Sequence, residues 1–157
     1  MTGYSIFEDG KLISYGTIKA DGYNAIDRDA NIRNWLVNTI QNWGIDYVGL
    51  EGIQFQNNLE GGAKVGVTTF EALARLQGIL MITLFDLKIP FEVCHTAVWR
   101  QYCGVKGRTR ADKKRSMRLL AKTWYDVTVS EDEADAIGIG KYTVEFFNKA
   151  QSFESWE

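Results

Sequence analysis

Four carboxylates lie within the five residues 131–135, directly before an apolar run. Ser130, with Glu133 three residues later, predicts a helix N-cap with a capping box at this point. Asp132 and Asp135 are three residues apart, so they share one face of that helix. Two interpretations remain open: the acidic residues stabilise the helix dipole, or the carboxylate pair on a half-buried face holds a divalent cation that offsets their repulsion.

A further carboxylate closes a short apolar run elsewhere in the chain. The run 46–51 ends in Glu51 and is followed by Gly52 and a polar, glycine-rich stretch, which is typical of a buried parallel strand that ends at a loop. Ligands of open α/β sheets collect at the carboxyl ends of strands. Glu51 is therefore a candidate catalytic acid.

The positive charge of the chain is concentrated in one segment. The formal net charge is −2 over 157 residues, but eight of the 18 basic residues lie between positions 106 and 122. Such a local concentration can bind phosphates even on an acidic protein. This basic cluster comprises Lys106, Arg108, Arg110, Lys113, Lys114, Arg115, Arg118 and Lys122.

Length, composition and the cysteines narrow the class of protein. With 45% hydrophobic residues the chain can bury a core, and we expect a single domain over residues 1–157. Cys94, Cys103 and the lone His95 lack the spacing of a zinc or redox site, so we interpret them as structural. We find neither a signal peptide nor an apolar run of spanning length, which predicts a cytoplasmic protein with reduced thiols and no membrane contact.

Hydrophobic periodicity and turn residues predict an alternation of strands and helices. An Asp-Gly turn at 9–10 joins the two strands of a hairpin, and Gly44 ends the first helix. The predicted strands are 4–7, 12–18, 46–51 and 90–94. The predicted helices are 27–43, 67–87, 96–102, 111–123 and 131–149, followed by a flexible tail at 150–157.

Three of these segments carry further expectations. The polar stretch 55–65 predicts a mobile loop beside Glu51. The segment 73–85 is apolar nearly all round, which suits either a subunit interface, with Gly78 allowing close approach, or a fully internal helix. The helix 111–123 is expected to carry the basic residues on its outer face. Its predicted inward residues are Met117, Leu119, Leu120 and Trp124.

Taken together and in this order, the motifs resemble those of the RuvC family of Holliday junction resolvases, within the ribonuclease H-like superfamily. The resemblance is strongest to the compact versions carried by lactococcal bacteriophages, and it spans roughly residues 2 to 145. The matching pieces are Thr2-Gly3-Tyr4, Val48-Gly49-Leu50-Glu51, Leu73 to Leu80, Gly104 followed by Ala111-Asp112-Lys113, and Asp132-Glu133-Ala134-Asp135-Ala136.

The resemblance implies an α/β, ribonuclease H-like fold with a central five-stranded mixed sheet flanked by helices. It also implies a homodimer that cleaves four-way and related branched DNA junctions with Mg²⁺ or Mn²⁺, in the cytoplasm of a bacterial host. Glu51, Asp132 and Asp135 match three of the family's four metal-binding, catalytic carboxylates. The resemblance implies DNA contacts at Lys113 and Arg100, and at Phe55, which lies one position later than the family's junction-facing aromatic residue. The basic cluster itself adds Lys106, Arg108, Arg110 and Lys114 as candidate DNA-binding residues.

The family's remaining carboxylate has no counterpart in the sequence. The resemblance places it at the end of a middle strand that precedes Thr2, and Asp9 cannot replace it because Asp9 belongs to the hairpin turn. We therefore expect Met1 to be an internal residue of a longer natural protein whose preceding residues form that strand. The alternative is an inactive binding protein that begins at Met1.

Two other functions compete with junction cleavage. One is a dimeric protein that binds DNA junctions without cutting them, which metal-independent binding without product would identify. The other is a ribonuclease H-like nuclease that acts on RNA, which cleavage of RNA hybrids in place of junctions would identify.

Overall fold

The protein is described here from a computed structural model that covers residues 1–53 and 63–154, with side chains for 1–53 and 66–152. Backbone contacts divide the chain into two units: unit 1 is Met1–Lys19 with Ala97–Glu157, and unit 2 is Ala20–Thr96. The strands are β1 Thr2–Glu8, β2 Lys11–Ile18, β3 Val48–Glu51 and β4 Phe91–Cys94. The helices are α1 Ala25–Trp43, α2 Ala63–Asp86, α3 Thr96–Cys103, α4 Arg110–Tyr125 and α5 Glu131–Glu154.

The strands pair as an antiparallel hairpin, β1 with β2, and a parallel pair, β3 with β4. Asp9 and Gly10 have φ angles of 51° and 78°, the left-handed values that a tight hairpin turn of this type requires. The predicted hairpin is therefore confirmed. The five-stranded central sheet is not observed in the described part of the chain, because hydrogen bonding there gives each strand a single neighbour and leaves two sheets of two strands.

Unit 2 is built on α1, α2 and the β3–β4 pair. Leu36, Ile40 and Leu84 form its buried core, and strand residues such as Val48 and Phe91 pack against them. Gly44 ends α1 in a left-handed conformation, and its amide donates to the carbonyl of Ile40. The predicted helix end is thereby confirmed, since glycine adopts this conformation without a side-chain clash.

Helix α2 exposes large apolar side chains. Val67, Leu73, Ile82 and Phe85 are all exposed, with Phe85 at 72%, so the interpretation of α2 as a fully internal helix was wrong. Its segment Gly66–Asp86 has a mean hydropathy of 1.3 and is long and apolar enough to cross a membrane by length and composition. The expectation that the chain holds no such run was therefore wrong as well, although a helix that packs against another protein meets the same criterion.

Unit 1 packs α3, α4 and α5 around Trp99, Met117 and Ile137, which are almost completely buried. One predicted inward residue of α4 was wrong: Leu119 is 64% exposed. Helical spacing explains the error, because Met117 and the buried Ala121 are one turn apart on one face, whereas a residue two positions along lies on the far side. Helix α5 continues to Glu154, beyond its predicted end near residue 149.

Candidate metal and nucleic-acid site

The first turn of α5 is held by the predicted capping box. The amide of Glu133 donates to Oγ of Ser130 over 3.3 Å, and the amide of Ser130 donates to Oε1 of Glu133 over 3.4 Å. The Ser130 hydroxyl donates to the same carboxylate oxygen over 2.8 Å. These bonds satisfy backbone donors that a helix start leaves free. Glu133 is therefore committed to capping.

A second carboxylate of the acidic segment is paired with the basic cluster. Nζ of Lys114, on α4, lies 2.9 Å from Oε2 of Glu131, and this hydrogen bond is the main cause that lowers the pKa of Glu131. The Lys114 side chain is only 14% exposed. The prediction that Lys114 lies on the outer face of its helix was wrong, because its side chain turns towards the acidic end of α5.

The remaining two carboxylates, Asp132 and Asp135, differ in their surroundings. Asp132 is exposed, whereas Asp135 is half-buried. Burial is the main cause that raises the pKa of Asp135; Arg100 and Lys114 act in the opposite direction, and the neighbouring carboxylates of Asp132 and Glu131 raise it further. A carboxylate that is disfavoured by burial and by like charge is stabilised strongly when a cation binds beside it.

Close packing fixes α5 against α3 and α4. A side-chain carbon at Gly138 would lie 2.9 Å from the Trp99 ring and 3.0 Å from Sδ of Met117, so glycine is required for this approach. The thiol of Cys103, on α3, donates to the carbonyl of Gly138 over 3.5 Å. Burial raises the pKa of that thiol to about 11, which agrees with the structural role predicted for Cys103.

Glu51 is the last residue of β3, as predicted, and pairs in register with Cys94 of β4. It is exposed. The amide of the next residue, Gly52, donates to the carbonyl of Cys94 over 2.8 Å. Glu51 therefore occupies a strand end in unit 2, and the other two candidate carboxylates lie in unit 1.

The donor set of α5 suits a hard cation. Over residues 1–53 and 63–154, no group of three or more His, Cys, Asp or Glu side chains is gathered closely enough to hold a metal ion. Mg²⁺, however, is commonly bound by one or two carboxylates, with water and substrate phosphates completing its shell. The carboxylate oxygens of Asp132 and Asp135 have the chemistry that this requires.

Cationic side chains surround the start of α4. Lys106, Arg108 and Arg110 are exposed and Lys113 is partly exposed, next to a helix N-terminus whose free amides favour anions. Thr109 caps this helix in a reciprocal capping box with Asp112. Arg100, on α3, stacks over the Trp99 ring at 5.4 Å. Phe55, the predicted aromatic DNA contact, lies outside the described residues, as does most of the predicted loop 55–65.

Two solved structures of one bacterial protein are similar to this chain. The structure of Thermus thermophilus RuvC is 16% identical, with a TM-score of 0.64 over 90% of this chain and 80% of that one. The fold is RuvC-like. The same bacterium's RuvC in complex with Holliday junction substrate is 13% identical, with a TM-score of 0.63 over 89% of this chain and 81% of that one.

The likeness to RuvC extends to the fold alone, since both identities are low. No protein-family model matches the chain, and no curated protein matches it. The roles of the candidate carboxylates and cations therefore stay predictions.

Sequence reasoning missed two features of the site. It did not pair Lys114 with Glu131, because nothing in sequence spacing indicates which charges meet across two helices. It also missed the packing of β1 on α5, although the small residues Gly3, Ser5 and Gly140 were a visible signal.

Proposed function

We propose that this chain is a metal-dependent, structure-selective endonuclease that cleaves four-way and related branched DNA junctions. The main observation in support of this proposal is the carboxylate pair Asp132 and Asp135 on the first turns of α5. Asp135 is half-buried, its pKa is raised by burial, and the cationic groups of Arg100 and Lys114 act on it. The RuvC-like fold supports the same function, because one of the similar structures was solved with a Holliday junction.

The carboxylates supply the binding chemistry. Asp132 and Asp135 would hold Mg²⁺ or Mn²⁺ through oxygen atoms, and the family resemblance proposes Glu51 as a third ligand. When bound, such ions activate water for attack on a phosphodiester and stabilise the leaving oxygen. The ion pair between Lys114 and Glu131 draws α4 to the acidic end of α5, which places a basic helix beside the carboxylates.

The basic cluster supplies the DNA contacts. Lys106, Arg108, Arg110 and Lys113 would neutralise phosphates, which positions a nucleic acid without reading its sequence. Arg100 would add a cation next to Asp135, and the family resemblance adds Phe55. In this proposal, selectivity for a junction comes from DNA shape and deformability.

A homodimer completes the proposal. The apolar side chains exposed on α2 favour a subunit interface, and two-fold symmetry would offer two equivalent sites to the two symmetric strands of a junction. We also propose that the chain resembles the compact RuvC proteins of lactococcal bacteriophages more than other members of the family. Its proposed location is the cytoplasm of a bacterial host.

The test compares a synthetic four-way junction with a linear duplex of matched sequence, each incubated with and without Mg²⁺. We expect nicks near the branch point of the junction, in Mg²⁺ only, and an intact duplex. Metal-independent junction binding without product would favour the non-cleaving protein. Cleavage of an RNA–DNA hybrid in place of the junction would favour the ribonuclease H-like alternative.

A further inference from the structure

Strand β1 touches α5 at regularly spaced points. A side chain at Gly3 would collide with the carbonyl oxygen of Asp132. The hydroxyl of Ser5 donates to the carbonyl of Ala136 over 2.7 Å. A side chain at Gly140 would collide with the ring of Phe7 and would lie 2.5 Å from Oγ of Ser5. Every second residue of β1 thus meets every fourth residue of α5.

This match has a geometric cause. Two residues of a strand advance about 6.6–6.8 Å and return to the same face. Four residues of a helix advance about 6 Å and return to nearly the same face. A strand and a helix that run side by side therefore stay in step over three such contacts. The three contacts together fix how far α5 lies along β1 and how it is rotated.

Two of these contacts involve the backbone of the turn that carries the candidate ligands. The Asp132 carbonyl lies against Gly3, and the carbonyl that Ser5 binds belongs to Ala136, the residue after Asp135. A helical carbonyl already accepts from the amide four residues ahead, and its second lone pair is free for a hydroxyl. Ser5 can therefore anchor this turn without breaking the helix.

The other contacts near this turn involve different groups. The capping box of Ser130 and Glu133 sets where α5 begins, and Lys114 binds the side chain of Glu131. Neither involves the backbone carbonyls of Asp132 and Ala136. Of the described contacts from outside α5, those that reach the Asp132 and Ala136 carbonyls come from β1.

We infer that Gly3 and Ser5 are positioning residues for the carboxylates of Asp132 and Asp135. The inference rests on the proposed function. Ser5 holds the turn by its hydrogen bond, and Gly3 allows the backbone to approach. Loss of either contact would let the turn that carries both carboxylates shift against the hairpin and relative to the candidate DNA-binding residues of α4, while the protein stays folded.

The test measures Mn²⁺ affinity by calorimetry on the full chain without DNA, and then kcat and KM for junction cleavage. The variants are Gly3→Ala, which introduces the collision, Ser5→Ala, which removes the hydroxyl, and Ser5→Thr, which keeps it. The matched control is Ser14→Ala on β2. Ser14 pairs with Ile6 and therefore faces the side of the hairpin opposite to Ser5.

We expect Gly3→Ala and Ser5→Ala to weaken Mn²⁺ binding on the order of 10-fold to 100-fold, the usual effect of losing a group that orients metal ligands. We also expect kcat to fall more than KM changes. Ser5→Thr, which keeps the hydroxyl, should bind Mn²⁺ as the unmodified chain does, and Ser14→Ala should leave binding unchanged.

Each other outcome is decisive. Folded Gly3→Ala and Ser5→Ala variants that bind Mn²⁺ as the unmodified chain does would overturn the inference and leave the proposed function intact. Equal weakening by Ser14→Ala would overturn it too, because the effect would then belong to the hairpin as a whole. No Mn²⁺ binding by the unmodified chain would remove the proposed metal site and the inference with it. If Gly3→Ala fails to fold, the comparison of Ser5→Ala with Ser5→Thr decides.

Discussion

Asp135 shows at the scale of one residue how a functional group can oppose stability. Its pKa is raised, first by burial and then by the carboxylates of Asp132 and Glu131. A folded pKa above the unfolded value means that the ionised form destabilises the folded state. This disadvantage is present at neutral pH and disappears as the pH falls below the unfolded value near 3.9. A bound cation would remove it.

We therefore predict that Asp135→Asn stabilises the metal-free protein at pH 7. Each kcal/mol of relieved destabilisation should raise the midpoint of thermal unfolding by roughly 2–4 °C for a chain of this size, and the gain should shrink at pH 3. Thermal unfolding in a chelator at both pH values measures it. The matched control is Asp126→Asn, at the exposed left-handed C-cap of α4, a conformation that asparagine tolerates. A lower midpoint for Asp135→Asn at pH 7 would contradict the account of its burial.

Lys113 provides a second test at this scale. It is partly exposed at the start of α4, and in the proposed function it contacts phosphate. Lys113→Ala should weaken binding to all DNA structures similarly and reduce the log–log salt dependence by about 0.9 for duplex DNA. Binding titrations over a series of salt concentrations measure this. Lys149→Ala, which removes a lysine paired with Glu145 near the far end of α5, should leave the slope unchanged. A loss confined to one DNA sequence would indicate base contacts.

At the scale of elements, local chemistry predicted more than tertiary pairing did. The hairpin turn, the Gly44 helix end and the Ser130 capping box were all predictable, because each depends on residues within a few positions. The inward assignment of Leu119 failed because the apolar residues of α4 do not define one stripe. Lys114 was misplaced because its partner, Glu131, lies on another helix.

The exposed apolar side chains of α2 allow a test of the proposed dimer. Phe85 is 72% exposed, so Phe85→Glu should leave unit 2 folded. In a two-fold dimer through α2, however, it would bury unpaired charge at a cost of roughly 3 kcal/mol or more, which is about 100-fold in the dimer dissociation constant. Sedimentation over a range of concentrations measures this.

The control for this prediction is Ile13→Glu on β2, another exposed apolar residue, which should not change the dimer. An unmodified chain that stays monomeric at micromolar concentration would rule out the interface, and α2 would then require a different partner.

At the scale of the whole molecule, the order of the motifs predicted the fold class. Five sequence pieces in their order and spacing resembled the RuvC family and so implied a RuvC-like fold, and the structural likeness confirms that fold. The five-stranded sheet was not confirmed, because strand partners depend on long-range hydrogen bonds that no local pattern encodes. Likewise, the sequence could identify Asp132 and Asp135 as a pair but not the burial that distinguishes them.

Segregation of charge is the molecular property on which the proposed function depends. A net charge of −2 would repel a polyanion weakly if it were evenly spread. Instead, the positive residues 106–122 precede the acidic residues 131–135, and the Lys114–Glu131 pair joins the two segments. In the proposed function, a phosphate backbone bound by the positive segment would lie close to the carboxylates of the acidic segment.

The most direct test of the central claim is single-turnover cleavage of a labelled four-way junction in Mg²⁺ by the unmodified chain and by Asp135→Asn. We predict nicks near the branch point for the unmodified chain. For Asp135→Asn we predict junction binding that is equal or tighter and a cleavage rate reduced by more than the roughly 100-fold that loss of an outer metal partner causes. Cleavage by Asp135→Asn at a rate close to that of the unmodified chain would contradict the claim that the carboxylates of α5 hold the catalytic metal.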